Sequence, residues 1–223
     1  MLLAIDTATG TVGAALHDGD RVLAEHVAHD VRRHAELLAP AVADVLAQVG
    51  AGPADLTAVV CGVGPGPFTG LRVGVVTALV LARTQDLDAP QGICSLDALA
   101  HQVVDRHQGE LLVATDARRK EVYWARYRLE DGWARRVEGP GVARAQDLPE
   151  TLRRLPTLGR GPELYPEALP NPLADGPVDL SPGALADLAA ALRRNAHPDA
   201  GSALLPPVPL YLRRPDAVAM AGS

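Results

Sequence analysis

Few residues of this chain could do chemistry. Two aspartates, Asp6 and Asp116, each close an apolar run (LLAID and LLVATD), and a short polar turn follows each. A carboxylate so placed either caps its own turn or faces a ligand held there. The turn after Asp116 carries Arg118, Arg119 and Lys120, cations that either touch the phosphates of a nucleic acid or form a solvated hairpin tip. A Gly/Pro loop, GVGPGPFTG at 62–70, runs from strand into helix as a phosphate loop does. Pro65 and Pro67 lack an N–H, however, and an anion cradle is built from consecutive backbone N–H groups, so the loop reads as a rigid packing turn. No two of the seven histidines (17, 26, 29, 34, 101, 107 and 197) are four apart, so none can share a helical face as a metal pair. Cys61 and Cys94 read as buried free thiols, and there is no Gly-x-Ser-x-Gly elbow. Tyr123 and Tyr127 share one face of a strand and read as core in preference to a stacking platform for RNA bases.

The elements that must position these residues repeat. Residues 2–25 and 111–138 both run strand, polar turn, strand starting at a valine (Val12, Val122), hairpin turn (Asp18-Gly19, Asp131-Gly132) and third strand. In the first half the pattern predicts a helix at 34–49, a strand at 57–63, a helix at 69–84 with Thr69 as N-cap, a short strand near 91–93 and a helix at 96–106. The second half is thinner, with a Pro/Gly-rich stretch at 139–177 and a helix at 184–194. The expected fold class is α/β, each half a mixed sheet with flanking helices. With 48% hydrophobic and 22% charged residues the chain is an ordinary folded protein, and its net charge of −6 opposes unaided binding to a polyphosphate. The start has no basic leader and no apolar run reaches the roughly 18 residues of a membrane span, so a cytoplasmic protein is expected.

Four stretches narrow the reading: AIDTAT at 4–9, GPGPFTGLRVG at 64–74, DARRKEVYWA at 116–125 and PLYLR at 209–213. Together they resemble the TsaB (YeaZ) family of the actin-like ATPase superfamily; Pro67 departs from it, the family more often having serine there. The resemblance implies two actin-like (ASKHA, RNase H-like) lobes, an N-terminal one over 1–107 and a reduced C-terminal one over 108–213; Pro215, small residues and the lack of apolar periodicity predict a disordered tail at 214–223. It implies a non-catalytic protein that docks on and activates a TsaD-like subunit forming N6-threonylcarbamoyladenosine at position 37 of tRNA. A TsaE-like ATPase would assist and tRNA would be met within the complex, while pairing of two copies into a homodimer when the chain is alone is left open. The alternative is a self-sufficient actin-like phosphotransferase or hydrolase, a glycoprotease included.

On that resemblance the metal-binding histidine pair of the catalytic relatives falls at Ser95 and Leu99, so no metal ligands are expected. Actin-like enzymes wrap phosphates in two Gly-rich turns; here the first keeps Gly10 alone and the second none. Asp6, Thr7 and Asp116 are thus expected to be a vestigial nucleotide site, with no cofactor bound tightly by this chain alone and ATP and Mg²⁺ left to the complex. The partner interface is expected on two helices. Leu38, Val42 and Val45 of the first would join Gly70, Val73 and Gly74 of the second, with Val76, Leu79 and Val80 completing the surface and the glycines admitting a second backbone.

Overall fold

The apolar runs of the two repeats pair into two sheets of the same wiring. The computed structural model describes residues 1–29, 33–194 and 203–213, so the tail expected at 214–223 lies outside the described residues. The first sheet uses β1 (Leu2–Asp6), β2 (Val12–His17), β3 (Val22–Ala28), β4 (Ala58–Gly64) and β5 (Gln91–Cys94), ordered β3-β2-β1-β4-β5. The second uses β6 (Gly109–Asp116), β7 (Glu121–Glu130), β8 (Trp133–Arg144) and β9 (Thr157–Leu158), ordered β8-β7-β6-β9. In each, a three-stranded antiparallel meander is joined on its inner side by a parallel strand, β4 beside β1 and β9 beside β6. The tip between β7 and β8 is tight because Asp131 and Gly132 both take positive φ, 52° and 76°, as a type I′ turn demands.

The helices are α1 (His34–Gln48), α2 (Phe68–Thr84), α3 (Ser95–His101), two single turns α4 (Glu150–Arg153) and α5 (Gly161–Leu164), and α6 (Pro182–Arg193). Helix α2 begins one residue before the expected start. Pro67, with φ −61° and ψ 137°, is its cap, and Thr69 falls inside the first turn. Helix α6 starts earlier than its apolar pattern suggests, because Ser181 caps it by accepting the Ala184 N–H and Pro182 fills the first position.

Alternation along the strands sorts these helices into layers. Leu3, Ile5, Ala14 and Leu16 face α1, and Val59, Cys61 and Val63 face α2, so both helices lie on the outer face of the first sheet. The opposite face, through Leu2, Ala4, Val60 and Ile93, packs on α3 and α6, and α3 also packs on the second sheet, whose Leu111, Val113 and Tyr127 join the same core. The far side of the second sheet is partly closed by Ala145, Leu148 and Leu169. This lobe is the smaller, with a two-residue fourth strand and four-residue helices on its outer side. The segment from residue 203 to 213 seals the remaining edge: Leu205 exchanges both backbone hydrogen bonds with Gly92 of β5 (2.7 and 2.8 Å), and Leu210 N–H donates to the Val63 carbonyl at 2.8 Å. Among the described residues no helix is long and apolar enough to cross a membrane.

Candidate functional site

The two aspartate-bearing strands β1 and β6 end beside each other at an interlobe cleft, but their carboxylates have different surroundings. Asp6 is 1% exposed. Its Oδ1 accepts from the Ser95 hydroxyl at 2.8 Å and its Oδ2 from the Ala8 N–H at 3.0 Å, and Ser95 Oγ in turn accepts from Gly64 N–H at 3.3 Å. The carboxyl is thereby spent on tying β1 to α3 and to the loop before α2. Thr7, also fully buried, donates to the Gly70 carbonyl at 2.7 Å and accepts from Gly74 N–H at 3.1 Å. Asp6 and Thr7, expected at a vestigial nucleotide site, are thus both engaged as internal fasteners, buried behind the cleft and not part of its lining. Asp116 does line the cleft, where its Oδ1 accepts the Arg118 N–H at 2.7 Å and its Oδ2 lies 3.1 Å from Arg118 Nη1.

Burial pushes the Asp6 carboxyl up to about 6 against the pull of its hydrogen bonds. Because the folded state holds this proton more tightly than the unfolded chain, the contribution is fully present below about pH 4 and is lost as pH rises through about 6. A shift of that size corresponds to roughly 3 kcal/mol at 1.36 kcal/mol per unit, read as an order of magnitude. An Asp6→Asn chain keeps the shape and an acceptor for Ala8, turns an N–H toward Ser95 Oγ in place of the oxygen that accepts from it, and cannot titrate, so its melting temperature should vary less between pH 4 and 7 than that of the wild type. Parallel curves for the two proteins across that range would assign the pH dependence elsewhere.

The cleft itself has a volume of about 330 Å³ and is lined by Thr9, Gly10, His29, Asp116, Arg118 and Arg160 among others. Gly10 is the one close-approach position in the first turn, and it is already taken. A Cβ there would stand 2.5 Å from Asp179 Oδ1 and 2.9 Å from Arg160 Nε, and these two side chains bond each other at 2.9 Å. The space beside Gly10 is thus filled by a carboxylate of the chain itself. In the second turn Arg118, Arg119 and Lys120 take φ of 60°, 52° and 65°, three successive left-handed residues without a glycine, each costing on the order of 1 kcal/mol.

Candidate nucleophiles are inert. Burial pushes the Cys61 thiol up to about 12 and Cys94 further, and both side chains are fully enclosed. Ser95 and Leu99 are fully buried on α3, and among the described residues no group of three His, Cys, Asp or Glu side chains could hold a metal ion. His17 accepts the Gly19 N–H on Nδ1 at 2.8 Å, so Nε2 carries the proton and donates to Asp187 at 3.1 Å. His26 bonds Asp44 at 2.7 Å, and His101 packs its ring on Trp133.

The expected interface divides. Leu38, Val42 and Val45 are buried against the first sheet, because β2 and β3 leave an apolar face that α1 covers. Gly70 and Gly74 are buried too, and a Cβ on Gly74 would stand 2.5 Å from Thr7 Oγ1, so the close approach their spacing signals is made by the end of β1 and not by another chain. Val73 is partly covered. Val76, Leu79 and Val80 remain outside, at 54%, 41% and 54% exposure, an apolar stripe between Arg72 and Arg83 on the outer face of α2.

Sequence reasoning placed Tyr123 and Tyr127 in the core but missed what they hold. Tyr127 donates to Asp97 Oδ1 at 2.7 Å, and Arg136 Nη1 reaches the same oxygen at 3.1 Å; Tyr123 donates to the Gly66 carbonyl at 3.2 Å. Burial, then the Asp97 carboxylate, push the Tyr127 phenol well up, so it stays a donor. Asp97 belongs to α3, and Tyr127 and Arg136 to β7 and β8, so this triad ties the lobes together. A second missed cluster is Phe68, Arg72 and Tyr211, joined by a ring contact and an arginine over the Phe68 face.

Two meanders of one wiring, each extended by a parallel strand and facing each other across a cleft, define the actin-like class of α/β proteins. Comparison with known proteins narrows the class. A model of the family described as "TsaD: tRNA N6-adenosine threonylcarbamoyltransferase" matches residues 21–155. The tRNA threonylcarbamoyladenosine biosynthesis protein TsaB of Escherichia coli K12 is 36% identical over 173 residues, 74% of each chain. An uncharacterised protein of Mycobacterium tuberculosis is 44% identical over 223 residues, 99% of this chain and 95% of that one. YeaZ from Pseudomonas aeruginosa superposes with a TM-score of 0.75 at 27% identity, covering 95% of this chain and 99% of that chain. This chain belongs to the TsaB (YeaZ) family of the actin-like ATPase superfamily.

Proposed function

We propose that this chain takes part in forming N6-threonylcarbamoyladenosine on tRNA as a non-catalytic subunit that docks on a TsaD-type transferase and activates it. The names of its relatives support the pathway. The docking is supported chiefly by one observation: on α2, whose other faces are spent on the first sheet, Val76, Leu79 and Val80 stay in water. The partner is a TsaD-type chain. The TsaD family model spans residues 21–155 of this protein, α1 and α2 included, so such a chain carries a similar pair of helices with which α2 can pack. Within the complex the transferase supplies the chemistry and the nucleotide site with its Mg²⁺. A TsaE-like ATPase and tRNA join there, and a second copy of this chain covers the stripe when no partner is present.

The test is reconstitution. The purified chain alone should transfer no threonylcarbamoyl group from its adenylate to tRNA, and should show no micromolar heat of binding with ATP and Mg²⁺. Mixed with a TsaD-type subunit it should co-elute and raise transfer. Turnover by the isolated chain would remove this reading and restore a self-sufficient actin-like enzyme.

A further inference from the structure

Where α2 begins, three distant stretches of chain meet around a cavity of about 170 Å³: Pro67 and Phe68, the Ala117–Arg119 turn, and residues 211–213. We infer that this cavity seats one nucleotide of a single-stranded RNA, its base on the Tyr211 ring and its phosphate on Arg118 and Arg119. The inference deepens the reading of the chain as a tRNA-modification subunit and rests on it.

The aromatic shelf is built before any ligand arrives. The Tyr211 ring packs on Phe68 with centroids 5.1 Å apart and planes tilted by 33°, and its hydroxyl accepts from Arg72 Nε at 3.0 Å. The Arg72 guanidinium lies 3.8 Å over the Phe68 ring and locks that side chain in turn. Tyr211 nonetheless stays 40% exposed. An aromatic side chain pinned at both ends, with a face in water, loses little entropy on stacking a base, and base stacking tolerates any sequence.

The charge around the shelf is the reverse of the whole chain's. Among the described residues the charged side chains that line the cavity, Arg118, Arg119 and Arg213, are all cationic, and Arg72 stands behind Tyr211, in a protein of net charge −6. Arg213 is committed to the wall, donating to the Ala117 carbonyl and pairing with Glu121. Arg118 is 63% exposed beside Asp116, so its guanidinium can swing to a phosphate at the small cost of a surface ion pair. The left-handed turn is what aims these side chains, and that accounts for keeping three non-glycine residues at positive φ. Pro67 and Arg118 also line the interlobe cleft of about 330 Å³, so a strand can continue from the shelf toward Arg160. Stacked bases of a duplex offer no free face to Tyr211, which selects a single strand.

The test is fluorescence anisotropy of a labelled, short single-stranded RNA with the full chain, with adenosine monophosphate, duplex RNA and an acidic peptide as competitors. Wild type should bind the single strand and not the duplex. Tyr211→Ala should weaken binding by about tenfold while Tyr211→Phe keeps most of it. Arg118→Ser with Arg119→Ser should flatten the salt dependence by about 0.7 in slope for each phosphate that is no longer neutralised. Should Tyr211→Ala fail to fold, the arginine pair carries the test alone. Competition by adenosine monophosphate identifies a free nucleotide as a ligand, and competition by RNA alone identifies a strand; either supports the site. Absent RNA binding, affinity and slope unchanged in the variants, or displacement by the acidic peptide overturns it. Co-elution of the same variants with a TsaD-type subunit is scored separately, so loss of RNA binding with docking intact sinks this inference only, and the converse sinks only the docking.

Discussion

A Val76→Glu chain should melt where the wild type melts and yet fail to co-elute with a TsaD-type subunit. Val76 is 54% exposed, so a carboxylate there faces water in the isolated chain and should change its stability by less than about 1 kcal/mol. In the docked state the same carboxylate would be buried among valines and leucines with no partner. That should cost on the order of 3 kcal/mol or more, about a hundredfold in affinity. Leu79→Glu tests the neighbouring position on the stripe. Val75→Glu is the contrasting control: Val75 is 3% exposed and packs on β4, so its variant should lose the melt itself. Light scattering and circular dichroism with and without partner separate the outcomes. If Val76→Glu and Val75→Glu behave alike, α2 has no outward docking face.

Removing the Asp97 carboxylate should be the most damaging polar substitution in the core. Asp97→Ala leaves the Tyr127 hydroxyl, fully buried, without an acceptor and Arg136, only 21% exposed, without its counterion. Breaking one side of such a pair costs about 3–5 kcal/mol because the charge left behind is uncompensated. For a chain of this size that is a fall of roughly 10 °C in melting temperature, at about 2–4 °C per kcal/mol. Asp97→Asn, which keeps an acceptor for Tyr127 but not the charge, should fall in between. A loss below about 1 kcal/mol for Asp97→Ala would mean that the lobes are held by apolar packing alone.

Local pattern was enough to find nearly every strand and helix of the first lobe, because α1, α2 and the meander each bury a face whose period shows in the residues. The repeat made the second sheet readable as well. What pattern could not supply was the identity of the neighbour. Gly70 and Gly74 announce close backbone approach, but the approaching atoms belong to Thr7, 67 residues before Gly74, and spacing alone cannot tell this from a second chain. The stripe of α1 looks the same whether it covers a sheet or a partner. Asp6 at a strand end suggests a ligand site until Ser95, 89 residues on, is seen to claim it. The Asp97–Tyr127–Arg136 triad and the Tyr211 shelf each join residues from separate elements, and no local signal marks either.

The layering of helices on sheets also bears on how the protein is born. The inner face of the first sheet is covered by α3 and α6, and α6 runs to Arg193, so Leu2, Ala4 and Val60 have no complete cover until about ninety residues after α3 have been made. During synthesis the first hundred residues would therefore leave the ribosome as strands with one greasy side bare, in need of a chaperone or of delay. A fragment cut at residue 107 should for the same reason aggregate when expressed, and adding a separate peptide spanning α6 should recover soluble material.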